Sequence, residues 1–399
     1  MILCRKIRLK PTPEQEILFW KSAGVARWAF NFYLAENERI WKEYLDNGKT
    51  GPKSISESAV RKYINNELKP TTHKWLCDVG SNVMKQAVKA ADRAQKDYLN
   101  GLRGKPHFKS KHRSTPSFYV NYESLSWRNH GFRGEKLGFV KTSEQLPRIP
   151  NGMHYINPRI TFDGKYWYLS VGYETQIIDS NTTDVSLGID LGIKNLAICS
   201  NGATYKNINK SKCVRQLNKR LKREQRKLSR KLESNTESYK VINGYRHPVY
   251  ARPLQECKNI QKQRKSIALV YRKIKNININ HIHQTTTKIV KTKPSRIVIE
   301  TLNVKGMMKN KHLSKAIQEQ RLYEVHRQLT YKCELYGIEL VRAPMFFPSS
   351  KMCSCCGNIK HDLKLKDRVY HCGACGLIID RDFNASINLA NYKPIQLNI

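Results

Sequence analysis

Two short cysteine knuckles near the C-terminal end constrain this chain more tightly than any other feature. Cys353-Ser-Cys-Cys356-Gly357 and Cys372-Gly-Ala-Cys375-Gly376 are separated by an insert of hairpin length. A CxxC-Gly turn offers two sulfurs to one ion, and zinc in structural sites prefers four tetrahedral thiolates. Cys353, Cys356, Cys372 and Cys375 therefore read as one Zn²⁺ site. Cys355 lies between ligands and could substitute, but Cys356 keeps both the spacing and the following glycine. With all four positions filled by protein, no position stays open for catalysis, so the ribbon holds the fold or helps to hold a ligand. The chain has 11 cysteines. An odd number fits reduced thiols better than a secreted disulfide framework. Cys4, Cys77, Cys199, Cys213, Cys257 and Cys333 are scattered, which predicts small buried hydrophobes.

Charge narrows the class of partner. With 72 Lys and Arg against 32 Asp and Glu, the formal net charge is +40 over 399 residues, enough chain for two or three domains. A polyanion is the expected partner, and nucleic acid the foremost one, because neutralised phosphates release counterions and reward dispersed cations. A ribosomal-type or membrane-surface protein is the bland alternative. The charge is spread along almost the whole chain, however, and the apolar runs are too short to span a bilayer, so no membrane partner is expected. Met1-Ile-Leu-Cys-Arg-Lys opens as a strand with early charge and without the apolar core of a signal peptide. A cytoplasmic, nucleoid-associated protein is expected.

The pattern divides the chain. Ile2 to Leu9 alternates as a strand, and Thr12-Pro13-Glu14-Gln15 supplies an N-cap, a first-turn proline and a capping-box glutamine. Helices are predicted over Glu16 to Tyr44, Ser54 to Glu67 and Ser81 to Leu99, with Leu18, Trp20, Val25, Trp28, Phe30, Phe32, Tyr33 and Trp41 mainly in a core. Gly101 to Ser114 is a basic loop suited to phosphate contacts. Short strands follow from Phe118 to Glu174, with a hairpin signal at Asp163-Gly164. After a polar linker, Val185 to Tyr205 reads as a three-strand meander that starts a new domain. Lys210 to Lys231 is an intensely basic helix partnered by Leu254 to Val290, and Asn235 to Pro253 between them is turn-rich. Then come a buried strand, Arg296 to Glu300, a helix around His312 to Tyr336, a strand at Ile338 to Val341, the cysteine module, and a last helix over Asp382 to Tyr392.

Three acids stand out within that order. Asp190 lies in an apolar strand flanked by Gly188 and Gly192, Glu300 ends another strand, and Asp382 starts a helix just after the second knuckle. A strand-end acid alone is most often a solvated cap. Together they match an RNase H-like fold, where acids from the first strand, a central strand and a late helix converge on two Mg²⁺ about 4 Å apart.

Gly188-Ile-Asp-Leu-Gly-Ile-Lys-Asn-Leu-Ala197, Ile297-Val-Ile-Glu300-Thr-Leu-Asn-Val-Lys-Gly306-Met307, and Cys353 through Asp380-Arg-Asp382-Phe-Asn384-Ala-Ser-Ile-Asn388 resemble the RuvC motifs and interposed zinc ribbon of the TnpB family. These are accessory nucleases of insertion sequences, related to type V CRISPR effectors. Lys6-Ile-Arg-Leu-Lys-Pro-Thr12, Gly104-Lys-Pro-His-Phe-Lys-Ser-Lys111 and Ser349-Ser-Lys-Met-Cys353-Ser also resemble the family, so the likeness covers nearly the full length. The stretch Asn235 to Pro253 departs from it.

The resemblance implies a multidomain α+β and α/β architecture. It has a β-barrel-like wedge domain (1–10 and 115–180) with a helical recognition insertion (11–114). An RNase H-like nuclease domain (184–348 and 378–399) follows, interrupted by the zinc ribbon (349–377). It implies an RNA-guided endonuclease that cuts double-stranded target DNA beside a short adjacent motif by two-metal hydrolysis. Asp190, Glu300 and Asp382 would be catalytic and bind Mg²⁺, and Asp380 would be a supporting acid. The implied partners are a noncoding guide RNA, target DNA and a transposase encoded in the same element. The rival readings are a guided DNA-binding repressor without cleavage and an RNA-independent transposase.

Overall fold

A computed structural model describes residues 1–393 except 112, 179–180 and 365. The undescribed positions include parts of the basic loop, the polar linker, the ribbon insert and the end (394–399) of the expected nuclease domain. The chain forms two compact units, Ile2–Thr175 and Gln176–Ile399, the second grouped with Met1. Among the described residues no helix is long and apolar enough to cross a membrane.

The first unit opens with β1 (Ile2–Lys10), whose alternation sends Ile7 and Leu9 into the core. Thr12 then stops the strand and starts α1 (Pro13–Asp46): its hydroxyl accepts from the Gln15 amide, and the Gln15 side chain accepts from the Thr12 amide at 3.1 Å. α2 (Glu57–Tyr63), capped by Ser56, continues as a π-turn over Ile64–Leu68, and α3 spans Ser81–Leu99. The remaining strands are β2 (Ser117–Tyr119), β3 (Gly131–Gly134), β4 (Gly138–Thr142), β5 (Ile156–Phe162) and β6 (Trp167–Glu174). They form one antiparallel sheet in the order β2-β5-β6-β1-β4-β3, curled into a half-barrel because β1 changes partner from β6 to β4 near Leu9. Phe19 of α1 fills its concave side, 5.2 Å from Trp167 and 5.7 Å from Phe118. Of the aromatic residues expected in the core, Phe30 and Tyr33 are buried and Trp28 and Phe32 half-buried, whereas Trp20 and Trp41 are 45% and 49% exposed.

The second unit is an α/β sheet. Its strands are β7 (Thr183–Leu191), β8 (Asn195–Cys199) and β9 (Thr204–Lys206), the expected meander. Next come α4 (Lys212–Glu233), a hairpin of β10 (Thr236–Ile242) and β11 (Tyr245–Tyr250), and α5 (Lys258–Val290). β12 (Pro294–Glu300), α6 (Val304–Met307), α7 (Ser314–Gln320), α8 (Leu322–Leu335) and β13 (Glu339–Ala343) follow. The ribbon hairpin of β14 (Val369–His371) and β15 (Ile378–Asp380) leads into α9 (Arg381–Ala390). The sheet order is β13-β12-β7-β8-β9, with β12 parallel to both neighbours. Strands covered on both faces read as continuous apolar runs, as Ile297-Val298-Ile299 does. Ile297 and Ile299 face Ile282, Leu322 and Val325 of α5 and α8, while Val298 faces Leu389 of α9.

Three sequence expectations change. The stretch 235–253 carries an ordered hairpin rather than turns alone, built on Asn243-Gly244 with φ of 51° and 77°. The helix expected over 312–336 is broken at Arg321, which sits in the left-handed region at φ 52°. Of the scattered cysteines, Cys199 and Cys333 are buried, but Cys4, Cys77 and Cys213 are exposed and Cys257 is half-buried.

Truncating Phe19 to Ala should destabilise the first unit by about 3–5 kcal/mol, because two other rings lose their contact to it. A denaturant titration of the variant that overlays the wild type would contradict this core assignment.

Candidate active site

Asp190 and Glu300 lie at the C-terminal ends of adjacent parallel strands. The β7–β12 register pairs Ile189 with Ile299, so the two acids occupy the next position on neighbouring strands, whose backbones run about 4.8 Å apart. Ile189 and Ile299 point to the α5–α8 face. Alternation therefore turns both carboxylates to the other face, where α9 lies.

What brings Asp382 to the same place is Gly188. A Cβ at that position would stand 2.0 Å from the Ser386 carbonyl oxygen and 2.3 Å from the Ala390 nitrogen, so α9 rests directly on the β7 backbone. The helix end is fixed there too. The Ser186 hydroxyl donates to the Ala390 carbonyl at 2.6 Å, and Arg296 donates to that carbonyl and to Ser186 at 3.1 and 2.8 Å. A guanidinium at a helix C-terminus also meets the negative end of its dipole. From Gly188 to Asp190 is about 6.6 Å along a strand, and from Ser386 back to Asp382 is about 6 Å along a helix. The two rises match, and the Asp382 carboxylate is delivered to the Asp190 end of the sheet.

The electrostatics record this convergence. The Asp190 carboxyl is pushed up to about 7, first by burial, then by the charges of Asp382 and Glu300, with Arg381 opposing. Burial also raises Glu300. Arg381 donates to the Asp382 carboxylate at 2.9 and 3.1 Å, and Arg368 stands 3.7 Å away. Asp380 is occupied as the N-cap of α9, accepting from the amides of Asp382 and Phe383 at 3.0 Å each. Desolvated like charges of this kind suit a divalent cation. Sequence reading passed over the roles of Gly188, Ser186, Arg296, Arg381 and Gln320. Gln320 donates to the Gly192 carbonyl at 2.7 Å and holds the β7–β8 turn from below. The signal for Gly188 was present as a glycine inside an apolar strand, which marks close backbone approach.

The four knuckle cysteines come together as spacing predicts. Their sulfurs all lie within 4.8 Å of one another, with Cys353–Cys375 at 3.6 Å and Cys356–Cys372 at 3.5 Å. Tetrahedral thiolates about 2.3 Å from zinc would stand about 3.8 Å apart, so the cluster fits a structural Zn²⁺. Cys356, rather than Cys355, is the fourth member. Gly357 and Gly376 take φ of 75° and 76° to close the two knuckles. Among the described residues these cysteines alone form such a close group of metal-binding side chains; Asp190, Glu300 and Asp382 do not close to that distance. The ribbon is pinned to the acid-bearing helix. Asn384 donates to the Met352 carbonyl at 2.7 Å and accepts from the Ser354 amide at 3.0 Å, and Asn388 donates to the carbonyls of Ser349 and Met352.

Comparison with known proteins follows the same map. A family model described as "Probable transposase" matches residues 170–311, one described as "Cas12f1-like, TNB domain" matches 323–389, and a "Helix-turn-helix domain" matches 1–46. A Streptomyces pristinaespiralis protein named "Putative RNA-guided DNA endonuclease" is 28% identical over 96% of this chain and 87% of its own length. Escherichia coli "Putative RNA-guided DNA endonuclease InsQ" is 26% identical over 96% and 90%. The "CRISPR-associated endodeoxyribonuclease Cas12f1" of Sulfoacidibacillus thermotolerans is 24% identical over 87% and 85%. In fold, the chain is similar to the protein in a cryo-EM structure of a Cas12f1–sgRNA–target DNA complex. The TM-score is 0.52 at 14% identity, covering 98% of this chain and 99% of that one.

Two outcomes follow from the site. The folded Asp190 carboxyl binds its proton more tightly than the unfolded one, so the metal-free protein should lose stability as pH rises from 3.8 to about 7. Thermal melts in chelator should show that loss in the wild type and much less of it in Asp190→Asn; parallel pH profiles would contradict the clustering. Paired Cys353→Ser and Cys356→Ser changes should release one zinc per chain and loosen the seat of α9. Elemental analysis that finds no zinc in the folded wild type would overturn the ribbon assignment.

Proposed function

The chain belongs to the TnpB family, and from that premise we propose that it is an RNA-guided DNA endonuclease. Its substrate is double-stranded DNA beside a short adjacent motif, and its reaction is phosphodiester hydrolysis. In this reading the second unit is an RNase H-like nuclease domain (184–348 and 378–399) interrupted by the ribbon (349–377). A wedge domain (1–10 and 115–180), lying mainly in the first unit, carries a helical recognition insertion (11–114). The observation that carries the reading is the meeting of Asp190, Glu300 and Asp382 at one end of the α/β sheet, where each raises the need for a cation.

Asp190, Glu300 and Asp382 would hold two Mg²⁺, which when bound supply charge neutralisation and an activated water for in-line attack. The rest is done by the chain's own groups. Gly188 admits α9, Ser186 and Arg296 hold its end, and Asp380 fixes its first turn, so the Asp382 carboxylate keeps its direction. Arg381 orients that carboxylate and limits the repulsion between the acids. The cations of α4 and of the loop 101–114 meet phosphates, which position nucleic acid without reading its sequence. Sequence reading is left to base pairing with the bound RNA. Intact acids speak against a repressor that binds without cutting, and the names of the relatives do not favour an RNA-independent transposase. A separate transposase partner finds no support in the comparisons.

Asp190→Ala, Glu300→Ala and Asp382→Ala should each lower DNA cleavage by several orders of magnitude while leaving target binding nearly unchanged, since phosphate contacts lie elsewhere. Gel-based cleavage and filter binding on the same preparations separate the two. Wild-type cutting by Asp190→Ala would remove this site from the mechanism.

A further inference from the structure

The hairpin β10–β11 is left unused by the site. It stands on the end of α4, and its mount is firm. The buried Asn235 donates to the Arg252 carbonyl at 2.9 Å, the Ala251 amide donates to the Asn235 carbonyl at 2.9 Å, and the Thr236 hydroxyl donates to the Leu232 carbonyl at 2.9 Å. Tyr239 donates to Glu233 and carries the Arg246 guanidinium 5.1 Å from its ring centre. The strands are held in register by Asn243-Gly244, a two-residue turn with both φ positive. An isolated two-stranded hairpin is marginal in water, and this one also carries its apolar side chains outward. Val241, Ile242 and Tyr245 are 69%, 53% and 74% exposed. Ile242 and Tyr245 are paired across the strands and so share one face with the next pair, Lys240 and His247.

Charge says what covers that face. α4 carries ten Lys and Arg against two Glu, and both acids are engaged inside the arm, Glu224 by Gln263 and Lys227 and Glu233 by Tyr239. Along α4 runs an open groove of about 700 Å³ lined by Lys219, Arg220, Lys222, Arg223, Arg226 and Lys273, with no carboxylate among its lining residues. A surface of this sign is complementary to a phosphate backbone. Within a paired DNA duplex the bases are stacked on one another, and freeing one costs a few kcal/mol. Folded RNA offers loop and bulge bases already unstacked beside its phosphates, and such bases stack on aromatic side chains.

We propose that the β10–β11 hairpin is an RNA-docking tip: Tyr245 and Ile242 stack on an unpaired base of the bound RNA, while the α4 cations hold phosphates elsewhere along the same RNA. This rests on the RNA-guided reading and adds to it a contact made by the hairpin.

The test uses the full-length protein and two labelled probes, a stem–loop RNA and a fully paired DNA duplex with the same number of phosphates. Tyr245→Ala should weaken stem–loop binding about five-fold or more, leave duplex binding unchanged and leave the slope of affinity against salt unaltered. Tyr245→Phe should restore the affinity. Arg223→Gln should instead lower the salt slope for both probes. If wild type binds the stem–loop and Tyr245→Ala matches it, the docking tip is refuted while the guided reading stands. A wild type with no affinity for the stem–loop would refute both. Unchanged RNA affinity together with a change in oligomeric state in Tyr245→Ala would assign the tip to a second copy of the chain and overturn the proposal.

Discussion

The structure of the second unit depends on one contact, the seating of α9 on β7 where Gly188 has no side chain. Any Cβ there would enter the helix backbone, so the position is closed to every residue but glycine as long as the helix stays. From this seat three consequences spread. Asp382 is carried to the strand ends that bear Asp190 and Glu300. The C-terminal carbonyl of α9 falls to Ser186 and Arg296. Asn384 and Asn388, one turn apart, reach the carbonyls of Met352 and Ser349 just ahead of the first knuckle and tie the cysteine ribbon to the acids. The ribbon thus stabilises the site through the helix, without touching the acids through its own metal-binding sulfurs.

The opposite tendency is electrostatic. Gathering three partly buried carboxylates is unfavourable, as the rise of Asp190 to about 7 records, and packing alone does not relieve it. Arg381 and Arg368 offset part of the repulsion at Asp382. The remainder is the physical reason that divalent cations suit this end of the sheet. The chain's wider charge works on a longer scale: a net +40 makes the protein a poor ligand for itself and a good one for polyphosphate.

Much of this was legible in sequence because it is local. The capping box at Thr12, the exact span of α3, the meander after Val185 and the two knuckles each depend on residues within a few positions of one another. The three acids could be picked out as a set, since strand-end and helix-start positions can be read from periodicity. What could not be read is the long-range packing: nothing local to Gly188 says which helix it admits, and the roles of Arg296, Gln320 and Asn388 appear only when distant segments meet. Arg321 breaks its helix in a left-handed conformation without the glycine that would have announced it. The β10–β11 hairpin did carry a signal, Asn-Gly between β-rich residues, but the surrounding polar and proline residues made the segment look like turns. Trp20 and Trp41 lie on a helical apolar stripe wider than the face that α1 buries.

The central claim is that a bound RNA, rather than the protein surface, chooses where the carboxylate site cuts. One plasmid carrying a single target beside its short motif, offered to protein loaded with matched or mismatched RNA, tests it most directly. The account predicts linearisation with the matched RNA and intact plasmid with the mismatched one. Equal cutting by both, or cutting without RNA, would contradict it.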